Sequence, residues 1–289
     1  MKLGVMPFVT GPLSHPDIVA ELAERVEASP AESLWAYEHV VYPQDYDSVY
    51  PYDAGGKMTS SQLAEDRPDP LQWLGHVAAL TRRIRLGTGL VLLPLHNPLI
   101  LAKRLATLDR LSGGRLMAGF GIGWLAEEYD ALGVPFRQRG ARADEYLRVL
   151  QTLWAPGAAS FQGSFYSFTD VHSNPKPVAP AGVPIVIGGH SRAAMRRTAR
   201  YGQGLFLLRQ TPERAAELLG MLAEEAKEAG RDIGDFEITV DAPRTAEDAR
   251  RYADLGVHRF LLSLRADDLA KFAERTDRYA ETVLAAVAS

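Results

Sequence analysis

The stretch from residue 84 to residue 124 constrains the fold more than any other part of the chain. It contains an apolar strand pattern at 85–90, leucines at helical spacing over 97–111, and a second apolar strand pattern at 115–121. Residues 112–114, Ser-Gly-Gly, end the helix as C-cap glycines do. Since two parallel strands need a crossover of a dozen or more residues, the stretch predicts one βαβ unit of a parallel sheet.

The same alternation of strand and helix continues along the chain. Strands are predicted at 3–8, 33–38, 85–90, 115–121, 184–187, 205–208, 236–240 and 259–264. Helices are predicted at 16–28, 70–80, 97–111, 125–132, 142–154, 191–201, 212–229, 245–255 and 266–287. Eight strand–helix units predict an α/β fold, a single (β/α)8 TIM barrel over residues 1–289, with an open doubly wound sheet as the rival.

Two connections are unusually long. Residues 40–68 show no hydrophobic period, and residues 155–183 contain a hairpin pattern, FQGSFYSF. Loops of this length are usually functional, so both are predicted as insertions on the C-terminal face of the barrel, capping its active site. Their aromatic residues either line a substrate cavity or pack the loops: Tyr37, Tyr42, Tyr46, Tyr50, Tyr52, Phe161, Phe165, Tyr166 and Phe168.

Composition and motifs exclude several classes of function. A net charge of −4 and a pI near 6.0 argue against a nucleic-acid surface. The absence of cysteine excludes disulfides and thiolate sites, and the seven scattered histidines show no metal-binding spacing. Serine hydrolysis is disfavoured because no Gly-x-Ser-x-Gly elbow is present. No apolar run approaches a membrane span and the N-terminus is unlike a signal peptide, so a cytoplasmic enzyme without a membrane partner is expected.

The residues Gly188-Gly189-His190-Ser191 follow the predicted fifth strand and open a helix. Consecutive glycines expose backbone N–H groups, and a helix N-terminus favours an anion, so this turn is a candidate phosphate site. The alternative is a tight turn with a serine cap. The usual barrel phosphate site, after the last two strands, lacks a glycine pair here.

The pair Glu38-His39 closes the predicted second strand, just before the first long connection. A histidine at the top of a barrel strand can act as acid or base near neutral pH. The alternative is a structural histidine tied to a neighbouring carboxylate.

Glycines recur at the ends of the predicted third and fourth strands: Gly87, Gly89, Gly119, Gly121 and Gly123. They suit a planar ring pressed against the backbone, or else bulges at the barrel rim. The run at 119–123 is not a dinucleotide fingerprint, because its third glycine comes one residue too early.

Three segments together resemble the bacterial luciferase-like monooxygenase family, most closely its deazaflavin (coenzyme F-420) branch. They are SLWAYEHV, the stretch from IRLGTGLVLLPLHNP to FRQRGAR, and PIVIGGHSRAAMRRTARYGQG. The resemblance runs from the first strand to about residue 210. It implies a (β/α)8 barrel, usually dimeric, that binds coenzyme F-420 or FMN with the ring across the barrel mouth.

The resemblance also implies roles for individual residues. His39 and Glu38 would be catalytic, beside the reactive edge of the ring; deazaflavin members often carry Asp where this chain has Glu38. A non-proline cis peptide is implied at Gly89–Leu90. The implied cofactor-binding residues are Thr88, Gly89, Leu90, Gly121, Ile122, Gly123, Trp124, Gly188, Gly189, His190 and Ser191. Arg139 and Arg142 would lie near an anionic tail.

The implied activity is hydride transfer between coenzyme F-420 and a small-molecule substrate, with His39 moving the accompanying proton. One alternative is a two-component monooxygenase that takes reduced FMN from a flavin reductase and uses O2. Another is a flavin-binding barrel without catalysis. A homodimer with an interface of N-terminal helices is implied as well.

Overall fold

A computed structural model describes residues 1–51 and 55–287. Its strands are β1 Lys2–Pro7, β2 Ser33–Ala36, β3 Arg85–Thr88, β4 Val91–Leu92, β5 Leu116–Gly121, β6 Ala159–Gln162, β7 Ser167–Val171, β8 Ile185–Gly188, β9 Gly204–Leu207, β10 Glu237–Asp241 and β11 Arg259–Leu264. Its α-helices are α1 Pro16–Ala28, α2 Ser60–Ala64, α3 Pro70–Leu80, α4 Pro98–Leu111, α5 Ala126–Ala131, α6 Arg139–Trp154, α7 Arg192–Tyr201, α8 Pro212–Glu228, α9 Ala246–Asp254 and α10 Phe272–Tyr279.

The main sheet closes on itself as a parallel barrel. Its strand order is β3, β2, β1, β11, β10, β9, β8 and β5, and pairing between β3 and β5 closes the ring. The short β4 continues beside β5 beyond the end of β3. The predicted (β/α)8 barrel is therefore confirmed, and the carboxyl ends of all eight barrel strands meet at one mouth.

Local sequence signals explain where most helices begin. Proline occupies the first turn of several helices, where its missing N–H costs nothing. Side-chain oxygens cap helix starts by accepting backbone N–H groups, at Asp69, Asn97, Ser191, Thr211 and Thr245. These signals place α1 and α3 at the predicted bounds, because both the start and the apolar face are encoded locally.

The barrel interior is apolar near the mouth and ionic at the opposite end. Met6, Trp35, Met117, Val186, Phe206 and Leu261 form one buried cluster inside the barrel. At the amino end, the buried Arg259 pairs with Glu32 and Glu237 and donates to the hydroxyl of Thr239 at 3.1 Å. Pairing offsets the large cost of burying this charge, so the amino end is sealed and the mouth is left for the site.

The prediction that residues 155–183 cap the site is wrong. This insertion leads from α6 into β8, a helix-to-strand connection, and such connections open at the amino ends of barrel strands. The hairpin of β6 and β7 is held at its turn by Glu145, which accepts the backbone N–H groups of Ser164, Phe165 and Tyr166. No residue of the insertion lines the mouth cavity.

Two smaller expectations also differ from the structure. The connection 40–68 contains the short helix α2, which begins with a capping box of Thr59 and Gln62. The predicted closing helix at 266–287 is broken into a 3-10 segment, α10, a π turn at Ala280–Leu284 and a last 3-10 turn. Threonine hydroxyls at 276 and 282 donate to carbonyls one turn back, a pattern that bends helices.

Candidate active site

A cavity of about 570 Å³ opens at the mouth of the barrel. Every barrel strand contributes to its wall at or just after its carboxyl end, through residues that include Phe8, Tyr37, Gly89, Gly121, Gly188, Leu208, Asp241 and Ser263. The connection between β2 and α3 covers part of it with Tyr42, Tyr50, Met58, Gln62 and Arg67. This volume lies within the usual range for small-molecule and cofactor sites.

The floor of the cavity is built around Leu90. The peptide bond between Gly89 and Leu90 is cis, as the family resemblance implied. Leu90 packs against two other strand ends, where a Cβ at Gly188 would lie 2.0 Å from Leu90 Cδ1 and a Cβ at Gly121 would lie 3.2 Å from it. Glycine is needed at position 188 because this leucine occupies the space of a side chain.

Two glycines of the predicted ring-binding set do not face the cavity. A Cβ at Gly87 would lie 2.2 Å from the ring of Trp35, and one at Gly119 would lie 1.9 Å from the carbonyl oxygen of Thr88. Both therefore make room for protein groups. Gly89, Gly121 and Gly123 do line the cavity.

Two residues of the predicted cofactor set also lie outside the cavity wall. Thr88 is fully buried, and its hydroxyl donates to the carbonyl of Gly119 at 2.8 Å and accepts the N–H of Gly119 at 2.7 Å. Ser191 caps α7 by accepting the N–H of Ala194 at 3.3 Å. The side chains of both residues are thus hydrogen-bonded within the protein, while the other predicted cofactor residues line the cavity.

His39 is oriented by a buried carboxylate. Its Nδ1 donates to Glu128 Oε2 at 2.9 Å, and the other carboxylate oxygen accepts the N–H groups of Val40 at 2.6 Å and Val41 at 3.3 Å. Because an ionised carboxylate only accepts hydrogen bonds, the proton sits on Nδ1. In the described part of the chain, Nε2 has no partner, so this nitrogen is available to move a proton within the cavity.

Glu38 has a different environment from its neighbour. Both of its carboxylate oxygens lie 2.9–3.0 Å from Nε2 of His96, and one accepts the N–H of Leu92 at 2.7 Å. Glu38 lines the cavity, but its carboxylate is committed to the segment that follows β3. The two adjacent residues predicted as catalytic therefore differ: His39 has a ring nitrogen without a partner, whereas the Glu38 carboxylate is bonded to His96 and Leu92.

An aromatic wall surrounds His39. The histidine ring lies 4.5 Å from the ring of Tyr42 and 6.0 Å from that of Trp124, which in turn lies 5.2 Å from Tyr50. Among the aromatic residues of the two long connections, Tyr37, Tyr42 and Tyr50 line the cavity, whereas Tyr46 packs on Trp124 from outside the cavity wall. Phe161, Phe165, Tyr166 and Phe168 pack within the second insertion and against α6, and Tyr52 lies outside the described residues.

The turn after β8 presents unpartnered donors. Gly189 has φ of +142°, and no acceptor within the described ranges bonds the backbone N–H of Gly189, His190 or Ser191. His190 accepts a long hydrogen bond of 3.5 Å from the amide of Gln210 at Nδ1, while its Nε2 is buried without a partner. Burial and the charge of Arg214 lower the pKa of His190, so the ring is neutral near pH 7. Because Nδ1 accepts from Gln210, the ring proton is on Nε2.

Arg139 and Arg142 lie outside the cavity wall. Arg139 stacks on Phe136 at 3.8 Å, and Arg142 stacks on Phe165 at 4.4 Å and donates to Tyr146. Over residues 1–51 and 55–287, no group of three His, Asp or Glu side chains is arranged to hold a metal ion. No helix in the same ranges is long and apolar enough to cross a membrane.

Sequence reasoning missed three residues of the site: Glu128, His96 and Arg67. Glu128 is one of two consecutive glutamates in α5, His96 is one of several scattered histidines, and Arg67 lies at the end of an irregular connection. No local pattern distinguishes them. Glu128 lies 89 residues from His39 in the sequence, and His96 lies 58 residues from Glu38, so both pairs form only in the folded protein.

A closed (β/α)8 barrel with a histidine and unpartnered backbone donors around one mouth has the layout of the barrel enzymes, whose active sites lie at that face. The family model for luciferase-like monooxygenases matches residues 4–286, and the chain belongs to that family. A Mycobacterium bovis protein, Mb0978c, is 30% identical over 279 residues, covering 95% of this chain and 97% of its own. The pyrimidine monooxygenase RutA of Escherichia coli is 31% identical over 183 residues, which are 61% of this chain and 47% of RutA.

Solved structures share the whole fold. The monooxygenase RslO1 from Streptomyces bottropensis superposes with a TM-score of 0.75 at 24% identity, covering 99% of both chains. An F420-dependent secondary alcohol dehydrogenase, solved with an F420-acetone adduct, gives a TM-score of 0.75 at 17% identity, covering 100% of this chain and 99% of its own. At these identities the similarity shows the fold.

Proposed function

We propose that this protein is an oxidoreductase that transfers a hydride between coenzyme F-420 and a small organic substrate. One observation carries the proposal: His39, oriented by Glu128, opens into the same cavity as the unpartnered donors after β8. The histidine can move a proton, and the backbone donors after β8 can bind the phosphate of an anionic cofactor.

The residues present fit a flavin or deazaflavin. Backbone N–H groups at 189–191 and the orphan Nε2 of His190 would bind a phosphate at the N-terminus of α7. Leu90 and the segment 121–124 would lie against the ring and the adjoining tail. When bound, the cofactor supplies the two-electron chemistry, and the protein supplies position and electrostatics.

His39 is the residue assigned to the proton. With Nδ1 bonded to Glu128, its Nε2 accepts a proton in the neutral ring and donates one in the charged ring. Tyr42 and Trp124 lie against the imidazole, and Tyr50 packs on Trp124, so aromatic rings shield the histidine from water. Glu38 acts by fixing the segment after β3 through His96 and Leu92.

The F-420 assignment is supported by the F420-dependent alcohol dehydrogenase, which has the same fold over its whole length. A second candidate is a two-component monooxygenase that uses reduced FMN and O2. It is favoured by the similarity to RutA and to RslO1, both named as monooxygenases. In either case the proposal is a single-domain chain acting as a homodimer, and a flavin reductase is a partner only in the second.

The two candidate functions can be distinguished by titrating the purified protein with coenzyme F-420 and with FMN and measuring cofactor fluorescence. We expect micromolar or tighter binding of F-420 and weaker binding of FMN. Tight binding of FMN alone would support the monooxygenase. If the folded protein bound neither, the proposed cofactor site would be wrong.

Two histidine variants test the division of roles within the site. His190→Ala should weaken cofactor binding, because it removes the ring and its buried Nε2 donor. His39→Gln should leave that affinity unchanged and lower turnover. His172→Gln, an exposed position outside the cavity, is the matched control and should match the wild type in both assays.

A further inference from the structure

Arg67 places a cation with two unpartnered nitrogen atoms in the cavity wall. It lies at the end of the connection between β2 and α3, and its guanidinium stacks on the rings of Tyr42 at 4.6 Å and Tyr37 at 5.8 Å. Its Nε and Nη1 atoms are buried and have no hydrogen-bond partner. Buried donors without acceptors are rare in folded proteins and call for a partner.

The surrounding acidic groups do not neutralise Arg67. The carboxylate of Glu38 is bonded to His96, and that of Glu128 is bonded to His39. Glu65 lines the cavity but is exposed to solvent, and across the described part of the chain no carboxylate lies within ion-pair distance of Arg67. The cation therefore remains available to an acceptor that enters from the cavity.

The neighbouring phenols do not supply a negative charge either. Burial raises the pKa of Tyr42 and that of Tyr37, although Arg67 lowers each of them in part. Both tyrosines are neutral near pH 7, so they contribute ring faces and hydroxyls but no anion. The environment of Arg67 is thus a cation between aromatic faces, which suits an acceptor attached to a planar group.

Arg67 is on the substrate side of the mouth. The rings on which it stacks follow β2, whereas the glycine pair follows β8, three strands away around the barrel. The ring of Tyr42 contacts both Arg67 and His39, so an acceptor bound by Arg67 lies one ring away from the proton-moving nitrogen. An anion bound here is therefore separate from the cofactor phosphate.

Building on the proposed function, we infer that Arg67 binds the carboxylate of the substrate, and that the substrate is a small aromatic or otherwise unsaturated carboxylic acid. The guanidinium fork receives the two carboxylate oxygens. The unsaturated body of the substrate packs along Tyr42 and Trp124 toward His39. A neutral amide of the same shape lacks the charge and binds more weakly.

Calorimetric titration of the full-length protein with benzoate and with benzamide tests the inference, at a pH where benzoate is ionised. Each titration is made with and without saturating F-420. We expect wild type to prefer benzoate, and Arg67→Gln to lose roughly 10- to 100-fold in benzoate affinity with little change for benzamide. Arg67→Lys should lose part of the preference, because it keeps the charge but not the planar fork.

Arg148→Gln is the matched control, since Arg148 also stacks on a ring, that of Phe161 at 5.2 Å, but lies outside the cavity. No preference for benzoate in the wild type, or the same preference in Arg67→Gln, would overturn the inference. So would an Arg67→Gln variant that loses F-420 binding but keeps benzoate binding. If F-420 fails to bind wild type, the proposed function fails, while the titrations without cofactor still decide the role of Arg67.

Discussion

Replacing Glu128 with glutamine removes the charge that orients His39 but keeps the shape of the side chain. The carboxylate is fully buried and accepts hydrogen bonds from His39 and from the backbone of Val40 and Val41. The shorter bond, 2.6 Å to Val40, should retain the glutamine oxygen, so that the amide NH2 faces Nδ1 of His39. Nδ1 must then accept, and the proton of the neutral ring moves to Nε2.

Two magnitudes follow from this rearrangement. Glu128 accepts three buried hydrogen bonds, and each weakens by about 1 kcal/mol when its acceptor loses the charge, so we expect the free energy of unfolding to fall by about 3 kcal/mol. The proton-accepting nitrogen of His39 is also lost. General acid–base catalysis contributes roughly 10²- to 10⁴-fold, so turnover should fall within that range while cofactor affinity stays unchanged.

The tautomer can be measured without a known substrate. In protein labelled with 15N-histidine, the ring shifts of His39 should report a proton on Nδ1 in the wild type and on Nε2 in Glu128→Gln, with His39→Gln used for assignment. Urea denaturation gives the accompanying change in the free energy of unfolding.

Glu127→Gln is the matched control. Glu127 precedes Glu128 in α5 and accepts the backbone N–H groups of Asp47 at 2.7 Å and Ser48 at 3.1 Å, but it does not contact His39. It should leave the tautomer unchanged. The reasoning is refuted if Glu128→Gln keeps the proton on Nδ1, or if Glu127→Gln moves it as well.

Two further predictions concern stability. Burial favours a higher pKa for Glu127, but hydrogen bonds from the first connection outweigh it and lower the pKa from 4.5 to about 2, so its contribution is present above pH 4.5 and is lost as the pH falls toward 2. Wild type should therefore lose more unfolding free energy than Glu127→Gln over that interval in acid denaturation. Gly189→Ala places a Cβ 2.9 Å from that of Ala194 at a φ of +142°, so we expect a loss of about 1–3 kcal/mol and weaker cofactor binding. The exposed helical control Gly220→Ala, with no heavy atom within 4 Å of the new Cβ, should not destabilise the protein; equal losses in the two variants by urea denaturation would contradict the assignment.

The fold was predictable because its signals are local. Helix α1 begins at a proline and keeps one apolar face, and β11 is built around the apolar run 260–262, so both have the predicted bounds. Strands β2 and β3 each end two residues earlier than predicted, at Ala36 and Thr88. Strand pairing stops there because the chain leaves the barrel wall and turns into the mouth. The apolar residues continue past this turn, so the sequence pattern does not mark it.

The site was predictable only in part, for the same physical reason. Strand ends identified His39 and the glycine pair, since position in a barrel places such residues at the mouth. The partners that determine their chemistry come from elsewhere in the chain, as with Glu128 for His39 and His96 for Glu38. The second insertion leads from α6 into β8, and the length of a loop does not show which end of the barrel it occupies.

The two sides of the mouth are built from different kinds of group. On the β8 side the donors are backbone N–H groups and a neutral ring, that of His190, all fixed by a strand end and a helix start. On the β2 side the groups are side chains of the first connection, with Arg67 and Tyr42 beside His39. Leu90, on the floor, lies against Gly121 and Gly188. The two sides share no hydrogen-bond partner among these groups. Substitutions in the connection between β2 and α3 should therefore change substrate affinity without changing cofactor affinity. The binding free-energy changes of one substitution on each side should be additive.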